Sequence, residues 1–157
     1  MCHSCYGVNF GDKVINYTRK AQEIVSSIDA RKYLGLYAPN TSRSELFLFA
    51  MALGLSTNLR TRLQNAYPGG LILDSSIDSR TRSFMYAYYI SSSASDVTLD
   101  DATSKESVYS TAQEYANTGF EIIADYMDTK KDTILIWTLI EELDKQYSET
   151  IDPNTKS

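Results

Sequence analysis

Residues that carry metal or redox chemistry are scarce in this sequence, and so are residues that interrupt regular structure. Two cysteines and one histidine occur among the 157 residues, which excludes a structural zinc site of four Cys or His ligands within one chain. Seven glycines and three prolines leave room for long regular elements. The longest apolar run, Leu46–Leu55, has ten residues and is too short to span a bilayer.

A secretion signal is also missing, because no basic segment followed by an apolar one stands at the N-terminus. We therefore expect a cytoplasmic protein that does not enter a membrane, in which neighbouring cysteines stay reduced. Hydrophobic residues make up 43% of the chain and charged residues 22%, which is typical of a globular protein and excludes a disordered one. The length suits a single domain.

The first five residues hold both cysteines and the histidine, as Cys2, His3 and Cys5. Because Cys2 and His3 are adjacent, they cannot easily both reach one ion, and one chain then supplies two metal ligands. We interpret residues 1–11 as a flexible N-terminal arm, and we expect no bound metal and no cofactor. A metal shared between two such arms, and a redox pair, remain the alternatives.

Apolar residues recur at spacings of three and four along most of the chain, which predicts an all-α fold, a compact bundle of about five helices. The first helix is predicted from Asp12. The second follows the capping box Ser42–Glu45 and stops at Gly54. The third begins around Ser76, and a short extended segment near residues 71–74 is the alternative to a plain link before it.

Two further helices complete the predicted bundle. A second capping box, Thr103–Glu106, starts the longest helix, and residues 133–147 form the last one. Because that last segment is apolar nearly all round at its start, we expect it at the centre of the bundle. Residues 12–148 then form a single helical domain, followed by a disordered tail, residues 149–157.

Charge is distributed unevenly along the chain. Residues 1–82 hold ten Lys or Arg and six Asp or Glu, a balance of +4, whereas residues 83–157 hold five and fourteen, a balance of −9. All seven arginines stand at or before Arg82. An acidic mean therefore does not exclude a basic face on the first half.

The triplet Arg-Thr-Arg occurs twice, within LRTRLQ at residues 59–64 and within SRTRSF at residues 79–84. Arginine and threonine side chains, and the N–H groups at helix starts, are groups that contact phosphates. If the triplets converge, they predict a DNA- or phosphate-binding surface that consists of Arg43, Arg60, Arg62, Arg80 and Arg82. Ion pairs with the acidic second half are one alternative, and protein docking is another.

Catalytic motifs give little support to an enzyme. No glycine-rich phosphate loop with its Lys is present, and the histidine lies on the predicted arm, which does not suit the fixed geometry of catalysis. The enzymatic alternative is a small metal-dependent nuclease or phosphoryl-transfer enzyme that uses the helix carboxylates Glu114, Glu121 and Asp125. It requires these side chains to converge on one ion.

Two segments resemble a known family. LFLFAMALGLSTNLRTRL, residues 46–63, is similar to a segment of the pattern mFAaaLGf…R-x-pL, and QEYANTGFEII, residues 113–123, is similar to EEYANgGLeil. In this order and at this separation, they resemble the small DNA-phosphorothioation-associated proteins, also called Dnd system-associated proteins, over roughly residues 40–145. Gln113 stands where that pattern has Glu, and Thr118 stands where it has Gly.

The resemblance implies a bacterial system that places sulfur in the DNA backbone and restricts invading DNA that lacks it. Small members of such systems are accessory components without an established catalytic motif. The resemblance therefore implies a non-enzymatic accessory protein of a restriction or antiphage defence system. Its expected partners are other components of that system, with DNA and a second copy of the chain as further candidates. A purely structural oligomerisation module is the remaining alternative.

The family-like motif comprises Glu114, Tyr115, Asn117 and Gly119. A glycine inside a helix costs about 1 kcal/mol relative to alanine. We therefore expect Gly119 to mark a close crossing of two helices, with Tyr115 and Asn117 as polar groups beside it.

Overall fold

The computed structural model describes residues 14–31, 42–66, 68, 70–92, 104–129 and 135–151. Five α-helices lie within these residues: α1 Arg19–Arg31, α2 Arg43–Thr57, α3 Ser79–Ser92, α4 Lys105–Thr129 and α5 Leu135–Ile151. The only other regular elements there are a 3-10 turn, Asp74–Ser76, and two short strands, β1 Val14–Ile15 and β2 Ile72–Leu73. The predicted all-α bundle of about five helices is confirmed.

The two strands form a short antiparallel ladder that precedes α1. Val14 pairs with Leu73 and Ile15 with Ile72, so the extended segment considered near residues 71–74 exists. The prediction that the first helix starts at Asp12 is wrong, since α1 starts at Arg19. The apolar residues before α1 follow strand periodicity instead, because Ile15 and Tyr17 are both buried and stand two residues apart.

Helix α2 begins as predicted and ends later than predicted. The Ser42 side chain accepts from the Glu45 N–H, and the Glu45 side chain accepts in return from the Ser42 N–H, which is a complete capping box. Gly54 does not stop the helix, which continues to Thr57 and ends at Asn58 with a φ of 53°. Asparagine tolerates this left-handed conformation, and so it serves as the cap.

The starts of α3 and α4 differ slightly from the predicted ones. Helix α3 begins at Ser79 rather than Ser76, because the 3-10 turn occupies the preceding residues and the Asp78 side chain accepts the Thr81 N–H at 2.8 Å. At the start of α4, the Ser104 side chain accepts the Ser107 N–H at 3.4 Å. Thr103, the predicted cap, lies outside the described residues.

Helix α4 is the centre of the fold, and it packs against each of the four other helices. Its largest interface is with α2, and the chain approaches itself most closely there. A Cβ on Gly119 would meet the carbonyl group of Ala50, and a Cβ on Gly54 would meet the carbonyl group of Tyr115. The close crossing expected at Gly119 is therefore present. Gly54, on α2, allows the same close approach because it also lacks a side chain.

The core surrounds this crossing. Its fully buried large apolar side chains come from β1, α2, α3 and α4: Ile15, Phe47, Met51, Met85, Val108, Phe120 and Ile123. No helix in the described ranges combines the length and apolarity needed to cross a bilayer.

Helix α5 does not lie at the centre, which contradicts the sequence-based prediction. It packs against the outside of α4, with Thr138 buried and Leu139 half-buried. Trp137, Leu143 and Tyr147 are exposed. The segment is apolar on two faces, and α4 covers only one of them.

Candidate functional site

The segment after α2 runs along α4, and there the two family-like segments meet. The Thr61 N–H donates to the Glu114 carbonyl oxygen at 3.1 Å. The Thr61 and Thr118 hydroxyls are 3.0 Å apart. The backbone and the side chain of Thr61 thus both hold this polar connector against α4. The backbone positions of Arg60 and Arg62, on either side of Thr61, are therefore fixed.

Arg60 extends over α4 from this connector. Its guanidinium carbon lies 5.8 Å from the centre of the Tyr115 ring, within the range of a cation–π contact. Its Nη1 lies 3.8 Å from the Glu114 carboxylate, and 54% of the side chain is exposed. The contact with Glu114 is longer than a hydrogen bond, so most of the guanidinium donors remain available.

Two tyrosines lie beneath Arg60. The Tyr88 hydroxyl donates to the Tyr115 hydroxyl at 3.0 Å, and the rings stand edge to face, with centroids 5.3 Å apart. Burial, followed by the hydrogen bond with Tyr115, raises the pKa of Tyr88 to about 12. Tyr88 therefore presents a neutral phenol to the cleft, rather than a phenolate that would cancel the positive charge of Arg60.

These residues line a polar cleft of about 650 Å³ between the end of α2, the end of α3 and the middle of α4. Its walls include Asn58, Arg60, Tyr88, Tyr89, Thr111 and Tyr115. We call it the tyrosine cleft. Among the described residues of its lining, Arg60 is the only charged side chain.

A smaller cleft of about 330 Å³ lies at the start of α1. Its lining includes three cations, Arg19, Lys20 and Arg62, and one carboxylate, Glu121. Lys20 pairs with Glu121 at 3.1 Å. We call it the basic cleft. Two of its cations, Arg19 and Arg62, form no ion pair with any described residue, so the cleft keeps a positive charge.

The structure does not bring the five predicted phosphate-binding arginines together. Arg60 and Arg62 follow the C-terminal end of α2, whereas Arg80 and Arg82 lie near its N-terminal end, where Ser44 contacts Asp78 at 3.1 Å. The two ends of this 15-residue helix are about 22 Å apart. The triplets therefore occupy separate surfaces.

Two of the five arginines donate side-chain hydrogen bonds to described residues. Arg43 donates to both carboxylate oxygens of Asp29. Arg82 donates to the Asp74 carbonyl oxygen at 3.1 Å and pairs with its carboxylate at 3.5 Å. Arg80 is exposed near the start of α3 and forms no ion pair with a described residue.

Comparison with known protein families identifies a match over most of the chain. Residues 15–156 match the family model described as DNA sulphur modification system-associated protein 4. The chain belongs to this family. The family resemblance seen in the sequence is thereby confirmed, and with it the association with a DNA sulphur modification (Dnd) system. No curated protein and no solved structure matches the chain.

Most of the motif through which the sequence resembled the DNA sulphur modification family serves the fold. Gly119 allows the helix crossing. Asn117, buried beside it, accepts the Thr18 N–H at 3.3 Å, and its Nδ2 has no partner among the described residues. Glu114 and Tyr115 are the members that face Arg60, and of the four motif residues Tyr115 lines the tyrosine cleft.

Gln113 is a positioning residue that the sequence analysis noted only as a departure from the family pattern. Its Oε1 accepts the Asn16 N–H at 2.9 Å, and its Nε2 donates to the Tyr109 carbonyl oxygen at 2.9 Å. Together with Asn117, one turn later, it fixes the segment between β1 and α1. The signal for this role in the sequence is the pair Gln113 and Asn117, two amide side chains four residues apart on the otherwise apolar face of a helix.

The carboxylates of the enzymatic alternative do not converge. Glu114 faces Arg60 and Glu121 faces Lys20, while Asp125 is exposed. Within the described residues, no group of three or more Cys, His, Asp or Glu side chains is placed to hold a metal ion. Cys2, His3 and Cys5 lie outside the described residues.

Proposed function

We propose that this chain is a non-enzymatic accessory protein of a DNA sulphur modification-linked restriction system, acting in the bacterial cytoplasm in antiphage defence. In this proposal it docks onto another protein of that system through the outer face of α5. The observation that carries the proposal is an apolar stripe on this helix that the rest of the described chain leaves uncovered.

The stripe consists of Trp137, Ile140, Leu143 and Tyr147, which are 60%, 40%, 63% and 67% exposed. Their spacings of three, three and four residues bring them to one face of a helix. An isolated exposed leucine is unremarkable, but a contiguous apolar patch with two large aromatic residues is typical of a protein interface. Tryptophan and tyrosine are also the residues that most often dominate binding energy.

The charges beside the stripe restrict the kind of partner. Glu141, Glu142 and Asp144 lie on the same helix, with Lys145 as the one cation among its described side chains. Such a surface repels DNA phosphates and suits a protein with an apolar centre and a basic rim. Pairing of the stripe with a second copy of itself would bring like charges together, which disfavours a symmetric dimer through this face.

The test is direct binding to the purified proteins of a DNA sulphur modification system, measured by calorimetry with one protein at a time. Trp137→Ala and Leu143→Asp should each weaken the complex by about tenfold or more, because hot-spot residues are worth about 2 kcal/mol or more. Ile90→Asp is the matched control, since Ile90 is 53% exposed but lies on α3.

Two results would refute the docking role. One is a complex that Leu143→Asp and Ile90→Asp weaken equally. The other is the absence of any complex combined with concentration-dependent dimers in light scattering that Leu143→Asp abolishes. The latter result would favour the oligomerisation module instead.

Direct contact with DNA phosphates is a second candidate function, and the basic cleft favours it. Arg62, Arg19 and Lys20 surround this cleft near the N-terminus of α1, where helix N–H groups also attract anions. Among the five predicted arginines, Arg62 has the strongest case, because it lines this cleft together with two further cations, whereas Arg43 and Arg82 are already engaged.

Duplex DNA binding as a function of salt tests this second function. Phosphate contacts make the affinity fall steeply with salt, and Arg62→Gln should reduce the slope by about one. Arg43→Gln should leave the slope unchanged, because Arg43 is already paired with Asp29. Undetectable binding at about 50 mM salt would exclude a DNA contact of this kind.

A further inference from the structure

We propose that the tyrosine cleft binds a phosphorylated nucleoside, with the phosphate on Arg60 and the Tyr115 hydroxyl and the base against the tyrosine rings. The ligand is either a free nucleotide or a nucleotide at the end of a DNA strand. This site is separate from the α5 docking face of the proposed function and does not depend on it.

The size and lining of the cleft suit such a ligand. Its volume of about 650 Å³ lies within the range of small-molecule sites, about 300–1,000 Å³. A lining with one cation, three tyrosines and several hydroxyl and amide groups disfavours a purely apolar ligand. With one cation among the described lining residues, the cleft suits a single phosphate group rather than a row of phosphates.

Tyr115 provides a fixed donor. The residue is 5% exposed, and its hydroxyl accepts from Tyr88. Its own proton has no acceptor among the described residues, although its oxygen is already positioned by that hydrogen bond. A buried hydroxyl with an unused proton at the wall of a cleft is suited to donate to a ligand oxygen.

Arg60 provides the charge. The contact between its guanidinium and the Tyr115 ring limits the movement of this side chain, while the loose pairing with Glu114 leaves donors free. A planar guanidinium and a neighbouring hydroxyl are a common combination for holding a phosphate. The Glu114 carboxylate is not part of the cleft lining, although its charge, 3.8 Å from Nη1, partly offsets that of Arg60.

The remaining wall suits a nucleoside. Tyr88 and Tyr89 offer aromatic surface, and base–aromatic stacking tolerates any base. The hydroxyls of Ser91 and Ser92 donate to the carbonyl oxygens of Tyr88 and Tyr89 at 2.9 and 3.1 Å. Their oxygen lone pairs remain available for donors on a sugar or a base.

The test is calorimetric titration of the full chain with three probes: deoxyadenosine 5′-monophosphate, deoxyadenosine and inorganic phosphate. The nucleotide should bind at least tenfold more tightly than either of the others. Arg60→Gln should weaken nucleotide binding by tenfold or more. Arg62 is the second arginine of the same triplet and lies outside this cleft. Arg62→Gln should therefore leave the affinity for the nucleotide within twofold of the wild type.

Tyr115→Phe keeps the ring and removes the proposed donor, so it should weaken nucleotide binding several-fold while thermal unfolding confirms the fold. If Tyr115→Phe fails to fold, the exposed Arg60→Gln variant still decides the outcome. The proposal is overturned if the wild-type chain does not bind the nucleotide, or if Arg60→Gln binds as tightly as the wild type.

A 5′-phosphorylated dinucleotide distinguishes the two sources of the ligand. Tighter binding of the dinucleotide than of the mononucleotide assigns the site to a strand end, and equal or weaker binding assigns it to a free nucleotide. Leu143→Asp on α5 should leave nucleotide binding unchanged, so failure of the docking proposal and failure of this one give different results.

Discussion

Gly119 of α4 lies directly against the backbone of Ala50 on α2, so closely that a Cβ on Gly119 would be 2.8 Å from the Ala50 Cα. Gly54 makes the reciprocal contact with Tyr115. Because both contacts involve backbone atoms, neither neighbour can turn aside to make room. This double crossing fixes the position of Tyr115, and therefore the position of the ring on which Arg60 rests.

Gly119→Ala should destabilise the protein despite the better helix propensity of alanine. Alanine gains about 1 kcal/mol as a helix former, whereas overpacking costs about 1–3 kcal/mol, and backbone neighbours put this site at the upper end. We expect a net loss of about 1–2 kcal/mol or more in urea unfolding. Ser110→Ala, at an exposed position of α4, is the control and should be neutral or stabilising. A Gly119→Ala variant as stable as the wild type would contradict the crossing.

Asn117→Ala should loosen the segment between β1 and α1. The side-chain oxygens of Gln113 and Asn117 accept from the N–H groups of Asn16 and Thr18. Four helical residues advance about 6 Å and two extended residues about 6.6 Å, so the two spacings match. Removing a buried acceptor costs about 1–3 kcal/mol.

Hydrogen exchange measures this effect at the residue concerned. The Thr18 amide should exchange faster in Asn117→Ala, while the α2 amides change only with global stability. Gln22→Ala removes a surface bond to Ser26 and should leave the Thr18 amide protected. Unchanged exchange at Thr18 in Asn117→Ala would refute the role of Asn117 as a positioning residue.

Acid should weaken the fold partly through Asp74. Burial by itself raises the pKa of this carboxyl, but hydrogen bonds from Lys105 and Tyr109 together with the nearby Arg82 and Lys105 charges outweigh it, and the pKa is lowered. A lowered pKa contributes stability above the ordinary carboxyl pKa, and this contribution is lost as the pH falls through the folded-state value.

The matching variant is Asp74→Asn. It should be less stable than the wild type at neutral pH, and its stability should depend less on pH below about pH 4, where an ordinary Asp carboxyl titrates. Urea midpoints measured across the acid range check this, with the exposed Asp125→Asn as control. Parallel pH profiles for the wild type and Asp74→Asn would show that Asp74 does not contribute.

Local signals in the sequence were sufficient for much of the helical framework. The Ser42–Glu45 capping box and the apolar face of α4 predicted two helices, because capping and helical periodicity are short-range properties. The glycine inside α4 predicted a close crossing for the same reason. It did not identify Ala50 as the neighbour, since that depends on how two distant helices meet.

The errors arose where tertiary contacts decide between local alternatives. Residues 14–18 fit helical spacing, but pairing with Ile72 and Leu73 and the amides of α4 hold them extended. The α5 sequence is apolar on two faces, and its pattern alone does not say which face is covered. The two Arg-Thr-Arg triplets are identical in sequence, but the length of α2 separates them.

Hydrogen exchange of α5 with and without the other purified proteins of the DNA sulphur modification system tests the docking role most directly. The docking role predicts that one of these proteins protects the amides from Trp137 to Tyr147, and that Leu143→Asp abolishes this protection while Ile90→Asp retains it. A complex that leaves the α5 amides unprotected, with protection confined to another surface, would contradict it.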